Sequence, residues 1–182
     1  MIFIIKSLYF FLPAYFANMA PSFAKRLSIF NVLAKPIDAG KRYKNFLIFG
    51  PHKTWRGVIS GLFLGTSISF LQILLAGLDF FQKLVFFNYQ NNNVLLLGFL
   101  LSLGALMGDL LFSFFKRRRG IKAGVPWIPF DQIGFVIGAF LFTGFFFQVP
   151  ILAWFIILVF SFFLHIIVNR IGFWLKIVPR PL

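Results

Sequence analysis

Four aspartates and no glutamate supply every side-chain carboxylate in this 182-residue chain, so their positions carry information. Asp79 falls at the end of an apolar run, where it reads as a solvated anchor. Asp38, Asp109 and Asp131 instead lie in or beside segments rich in lysine and arginine. Asp109 is the sharpest case, because it sits inside the end of an apolar run, and a carboxylate at that depth is costly unless paired, hydrated or bound to a cation. On a helix Asp109, Ser113 and Lys116 stand at i, i+4 and i+7 and share a face, with Arg117 adjacent. Two uses follow. An Asp109–Lys116 or Asp109–Arg117 ion pair would merely finish the helix end. A carboxylate, a hydroxyl and a cation on one face would also suit a divalent metal and the phosphates bound to it.

Two further segments carry phosphate chemistry. Gly50–Gly57 ends a basic loop just before an apolar run, placing Lys53, Thr54 and Arg56 at a helix N-terminus, where free amides and the helix dipole favour anions. The Gly-x-x-x-x-Gly-Lys-Ser/Thr spacing of a nucleotide-binding P-loop is absent. The second segment, Lys116–Gln132, holds five basic residues, and Gly120, Gly124, Pro126 and Pro129 impose fixed turns on it. It ends on Asp131, which reads either as an N-cap of the next helix or as a second functional carboxylate. His52 reads as a loop residue that a phosphate can reach, and His165, alone in the last apolar run, as a packed or hydrogen-bonded helix residue.

Most of the chain is the apparatus that must position these groups. Sixty percent of residues are apolar and only 12% are charged. The mean hydropathy is +0.90. A soluble globule of this size has no room to hide that much apolar surface, so lipid is the expected solvent. The absence of cysteine excludes disulfides, thiolate metal sites and cysteine nucleophiles. The net charge of +14 sits between apolar runs rather than on a soluble face, so anionic headgroups or a phosphorylated ligand are expected and nucleic acid is not.

The fold class expected is an all-α integral membrane protein, one transmembrane domain over 1–182. Five runs, near 2–20, 58–78, 94–115, 133–149 and 151–168, approach the ~20 residues needed to cross the hydrocarbon core. A tight hairpin near Gln148–Pro150 divides the last two. The first run lacks a small-residue cleavage site and is expected to be retained. With five spans, loops 21–57 and 116–132 and the C-terminal tail share one side, which then holds 16 of the 18 basic residues, all but Lys6 and Lys83. The positive-inside rule makes that side cytoplasmic and puts the N-terminus outside. Gly57, Gly61 and Gly65, then Gly104 and Gly108, then Gly134 and Gly138 recur every fourth residue, which lets helix backbones approach closely.

Cations at two loop–helix junctions, a few carboxylates and an apolar body suit a substrate with a phosphate-rich head and a lipid tail. An anionic-lipid transporter or flippase and a structural anchoring subunit are the alternatives. The first is disfavoured by charges gathered at one end, and the second has no use for the Asp-Ser-Lys face.

The motifs Leu12–Pro21, Pro36–Lys41, Lys53–Gly57, Gly108-Asp109…Ser113…Lys116-Arg117 and Pro126…Pro129…Asp131-Gln132, in that order, resemble those of the CDP-archaeol synthase family, membrane cytidylyltransferases related to the phosphatidate cytidylyltransferases. The resemblance covers most of the chain. It implies a Mg²⁺-dependent reaction of CTP with 2,3-bis-(O-geranylgeranyl)-sn-glycerol 1-phosphate, an isoprenoid ether lipid phosphate, giving the CDP-lipid and pyrophosphate. Phosphatidic acid is the alternative acceptor. Asp109 and Asp131 would hold the metal, with Lys116 a third catalytic group. Lys53, Thr54, Arg56, Ser113, Arg117 and Lys122 would bind nucleotide and phosphate, and Asn18 and Asp38 are weaker candidates. The family's second acidic residue, three positions beyond the one matched by Asp131, is here Gly134, which leaves one or two metal ions open.

Overall fold

The computed structural model describes residues 1–89 and 93–176 and is almost wholly helical. Helix α1 spans Ile2–Arg26, α2 Trp55–Leu75, α3 Asp79–Gln82, α4 Val94–Arg118, α5 Phe130–Thr143 and α6 Ile151–Trp174. A two-stranded antiparallel hairpin, β1 (Arg42–Tyr43) and β2 (Phe46–Leu47), lies in the first basic loop. Helices α1, α2, α4 and α6 are long and apolar enough to cross a membrane, and α5 is a shorter apolar helix. Large apolar side chains face outward along them, among them Phe63, Phe155 and Phe163, as expected where lipid is the solvent. The protein is an integral membrane protein of helical class. Of the sequence-level features, Arg180 and most of the Gln90–Asn93 loop lie outside the described residues.

Several boundaries differ from expectation. The fourth run was expected at 133–149, but α5 starts at Phe130 and stops at Thr143. At about 1.5 Å per residue its 14 residues cover about 21 Å, short of the hydrocarbon core. The following residues are closed by turns, Phe146 and Phe147 both donating to the Thr143 carbonyl at 3.0 Å, so the link to α6 is longer than a hairpin at 148–150. Apolarity alone does not distinguish helix from an apolar turn. In addition, α1 and α4 run on to Arg26 and Arg118, because basic residues are favoured in a last helical turn. Helix α6 continues to Trp174 rather than 168, and α2 occupies Trp55–Leu75 rather than 58–78.

Helices α1 and α4 form the centre. Helix α2 packs on both, α5 packs along α4, and α6 lies across α1 and α5. The core gathers Phe10, Phe11, Leu97, Leu101 and Ile157, each no more than 1% exposed. The glycine periodicity makes these contacts. A Cβ on Gly61 would lie 2.8 Å from the Ala17 carbonyl oxygen of α1, and one on Gly108 2.4 Å from the Gly134 carbonyl oxygen of α5. Without a hydrophobic force between helices in lipid, such close backbone packing is what holds them together.

Candidate active site

The first basic loop is built around Asp38. Its buried carboxylate accepts from the backbone amides of Phe49 (2.9 Å), Gly50 (3.0 Å) and Gly40 (3.0 Å). Burial opposes ionisation there, but the Gly50, Phe49 and Gly40 amides outweigh it and hold the carboxyl below the usual carboxylate range. Gly50 meets this carboxylate with φ +105°, a conformation that glycine adopts without strain. The turn then presents Lys53, whose backbone is fixed on both sides: its amide donates to the Gly50 carbonyl at 3.2 Å and its carbonyl accepts from Ile37 at 2.9 Å. Thr54 caps α2, its Oγ1 accepting from the Gly57 amide at 3.2 Å.

The second loop is clasped to the first by α4. Arg118 Nη2 donates to the Leu47 carbonyl at 2.6 Å, and its guanidinium stacks between the Tyr43 and Phe114 rings. Arg117 donates through Nη1 to the Ile121 carbonyl, while its buried Nε has no hydrogen-bond partner among the described residues.

Two ion pairs result, neither of them the pair expected within α4. Asp109 pairs with Lys53 from the first loop, and Asp131 pairs with Lys116. The Asp109–Lys116 and Asp109–Arg117 pairs do not form, because Lys53 of the first loop reaches Asp109 and Asp131 of α5 takes Lys116. Nor is Asp131 an N-cap. It lies inside α5, and its Oδ2 reaches back to accept from the Trp127 amide at 2.8 Å.

A cavity of about 570 Å³ opens beside Lys53 and Asp109, within the size range of small-molecule sites. Among the residues singled out by sequence, Asn18, His52, Lys53, Thr54 and Asp109 line it. Burial and the nearby charges of Lys25, Lys53 and Arg117 hold the His52 imidazole below the usual histidine range. Lys116, Arg117 and the buried Ser113 follow along α4 outside its wall, and Lys122 is exposed. Arg56 turns away to the Asn31 side chain (2.9 Å), and Asp38 spends its oxygens on the loop. Helix α6 supplies the wall that sequence reasoning did not assign: His165 and Asn169 line the cavity, hydrogen-bonded to each other at 3.0 Å. The hydrogen bond accords with the packed role expected for His165, but its place on the cavity wall was missed. The available signal was two polar residues four apart in the most apolar helix.

No cluster of three His or Asp side chains forms a preassembled metal site among the described residues. Position 134 has no space for the family's second acid: a Cβ there would sit 2.6 Å from the Phe112 ring, because this turn of α5 packs flat on α4.

The model of the CarS-like CDP-archaeol synthase family matches residues 1–180. The chain belongs to this family. It is similar to the CDP-archaeol synthase of Thermococcus onnurineus, with 42% identity over 136 residues, covering 74% of this chain and 71% of that one. The Methanocaldococcus jannaschii CDP-archaeol synthase is 37% identical over 175 residues, covering 94% and 93%. A solved intramembrane enzyme for archaeal membrane lipids biosynthesis superposes with a TM-score of 0.73 at 26% identity, covering 91% of this chain and 94% of that one. The cavity therefore belongs to an enzyme, and neither the transporter nor the anchoring-subunit reading is favoured.

Proposed function

We propose that this enzyme transfers CMP from CTP to an isoprenoid ether lipid phosphate, 2,3-bis-(O-geranylgeranyl)-sn-glycerol 1-phosphate, forming CDP-archaeol and pyrophosphate at the cytoplasmic membrane face. The observation that carries this reading is the Lys53–Asp109 pair on a cavity with a basic loop on one wall and apolar helices on the other.

An oxygen of the lipid phosphate attacks the α-phosphorus of CTP in line. The bond from that phosphorus to the bridging oxygen breaks, and pyrophosphate leaves with the electron pair. No protein nucleophile is needed, so the protein's work is to position and neutralise phosphates. Lys53 serves this purpose, and the unpartnered Nε of Arg117 is a cationic donor in want of an anion. Lys116 keeps Asp131 in place, and Thr54 sets the first turn of α2.

Asp109 and Asp131 suit Mg²⁺, a hard cation that needs only one or two carboxylates beside substrate phosphates and water. Bound there, it would neutralise charge on the phosphates. Carboxylates backed by lysines fit that role, and the packed position 134 favours a site with these two carboxylates alone. The Lys53–Asp109 pair is partly open, with side chains 26% and 34% exposed. Such a pair is only modestly stabilising and can exchange partners when substrate arrives. The placement of basic residues makes both loops cytoplasmic and the N-terminus external.

The test incubates membranes containing the protein with labelled CTP, Mg²⁺ and either the ether lipid phosphate or phosphatidic acid. Label should enter the lipid fraction with the ether lipid phosphate in preference. No label with either acceptor would refute cytidylyl transfer, and preference for phosphatidic acid would refute the acceptor assignment.

A further inference from the structure

Helix α6 is the most apolar of the membrane helices, yet Ser161, His165 and Asn169 follow at i, i+4 and i+8 on one face of it. Each has a partner or a use. The Ser161 and Tyr15 hydroxyls are hydrogen-bonded at 2.8 Å, which ties α6 to α1 and fixes its rotation. One turn further His165 and Asn169 reach the cavity. Arg26 Nη1 donates to the Leu175 carbonyl at 3.0 Å, so the ends of α1 and α6 are level. His165 is ten residues before Leu175, Asn18 eight before Arg26, and Asp109 nine before Arg118. At about 1.5 Å per residue all three stand roughly 12–15 Å below their helix ends, in one polar layer.

An ionisable residue at that depth is a marker of function. Its Nδ1 is hydrogen-bonded to Asn169 Nδ2 at 3.0 Å, and in the tautomer where Nδ1 accepts, Nε2 carries the ring proton and is the remaining donor. The cavity wall around it decides the ligand. Val168, Ile171 and Leu175 of α6 are apolar, whereas His52, Lys53 and Thr54 occupy the loop side. A nucleotide triphosphate suits the loop side, and a chain with one phosphate at its head suits α6.

We propose that His165 is a substrate-contacting residue, donating Nε2–H to the phosphate of the acceptor lipid, with Asn169 fixing its tautomer and the Tyr15–Ser161 bond fixing the helix. This rests on the lipid-phosphate reading above. A glutamine amide can stand in for Nε2, whereas an asparagine amide reaches only the Nδ1 position. His165→Leu should raise KM for the lipid phosphate about ten-fold or more, as expected for losing a hydrogen bond to a charged group, and change KM for CTP less than about two-fold. His165→Gln should recover most of the loss and His165→Asn should not. Retention of labelled lipid phosphate by purified protein in detergent, without CTP, should weaken in the same order. A purely structural histidine would instead lower the yield of folded protein and move neither KM selectively. An unchanged lipid KM in His165→Leu, or equal defects in the Gln and Asn variants, would overturn the proposal. Wild-type protein that retains the lipid phosphate but forms no CDP-lipid would refute the parent reading alone.

Discussion

Gly138→Ala puts the coupling between helix packing and catalysis to a quantitative test. A Cβ at this position would lie 2.2 Å from the Gly104 carbonyl oxygen, 2.5 Å from Gly108 Cα and 2.7 Å from Gly108 N. All three are backbone atoms of α4, so no side chain can rotate aside. Restoring ordinary contact requires α5 to retreat from α4 by about 1 Å. Asp131 lies two turns along α5 on the same face, and its partner Lys116 is on α4. The retreat therefore separates the two members of an ion pair in the proposed site. Overpacking of this kind costs about 1–3 kcal/mol of stability. A displacement of about 1 Å at reacting groups costs on the order of 100-fold in rate. The assay is CTP-dependent lipid labelling per folded molecule, with folded protein quantified by size exclusion and thermal melting in detergent. Gly77→Ala is the control, since its Cβ would meet nothing nearer than 4.0 Å, and it should retain activity and melting temperature. Wild-type turnover in Gly138→Ala would refute the reasoning, even with a lowered melting temperature, because α5 would then not be what places Asp131.

Asp38→Asn should loosen the first loop and raise KM for CTP roughly ten-fold, because Lys53 loses its support and an amide with one acceptor oxygen cannot keep both the Gly40 bond at Oδ1 and the Phe49 and Gly50 bonds at Oδ2. The Asp38 carboxyl lies below its unfolded range, so its contribution is full above about pH 4 and is lost as pH falls through the lower folded value. Melting followed from pH 7 to pH 3 should show an acid loss that is shallower in the Asn variant. Arg118→Ala removes the bonds to Phe46 and Leu47 and the stack on Tyr43, so tryptic cleavage at Lys41–Lys44 should accelerate about ten-fold. Unchanged cleavage would mean the hairpin is held by other contacts. Gly134→Asp, which restores the family's second acid, should lower the yield of folded protein rather than raise activity, since Phe112 occupies the space.

The sequence exposes the helices, the two basic loops and most of the charged groups because lipid leaves each residue type few places to go. Asp109 is conspicuous for that reason, as are Lys53 and Asp131 at the loop–helix junctions. Who pairs with whom was not legible. Helical spacing suggests Asp109 with Lys116, whereas the fold sends Lys53 to Asp109 and Asp131 to Lys116, and no local pattern encodes contacts between residues 56 apart. The end of α5 is not legible because the Phe-rich segment after Thr143 is as apolar in turns as in a helix. The solitude of His165 in the last span hides the role of its neighbour Asn169 one turn on.

Where the phosphorus of CTP goes tests the central claim most directly. Membranes holding the wild-type protein or Asp109→Asn are given the ether lipid phosphate with CTP labelled at either the α- or the γ-phosphate. The α-label should enter the lipid and the γ-label should leave as pyrophosphate, with Asp109→Asn at least about 100-fold slower while still inserted in the membrane. Label from the γ-phosphate in the lipid, or wild-type transfer by Asp109→Asn, would contradict a cytidylyl transfer centred on the Lys53–Asp109 cavity.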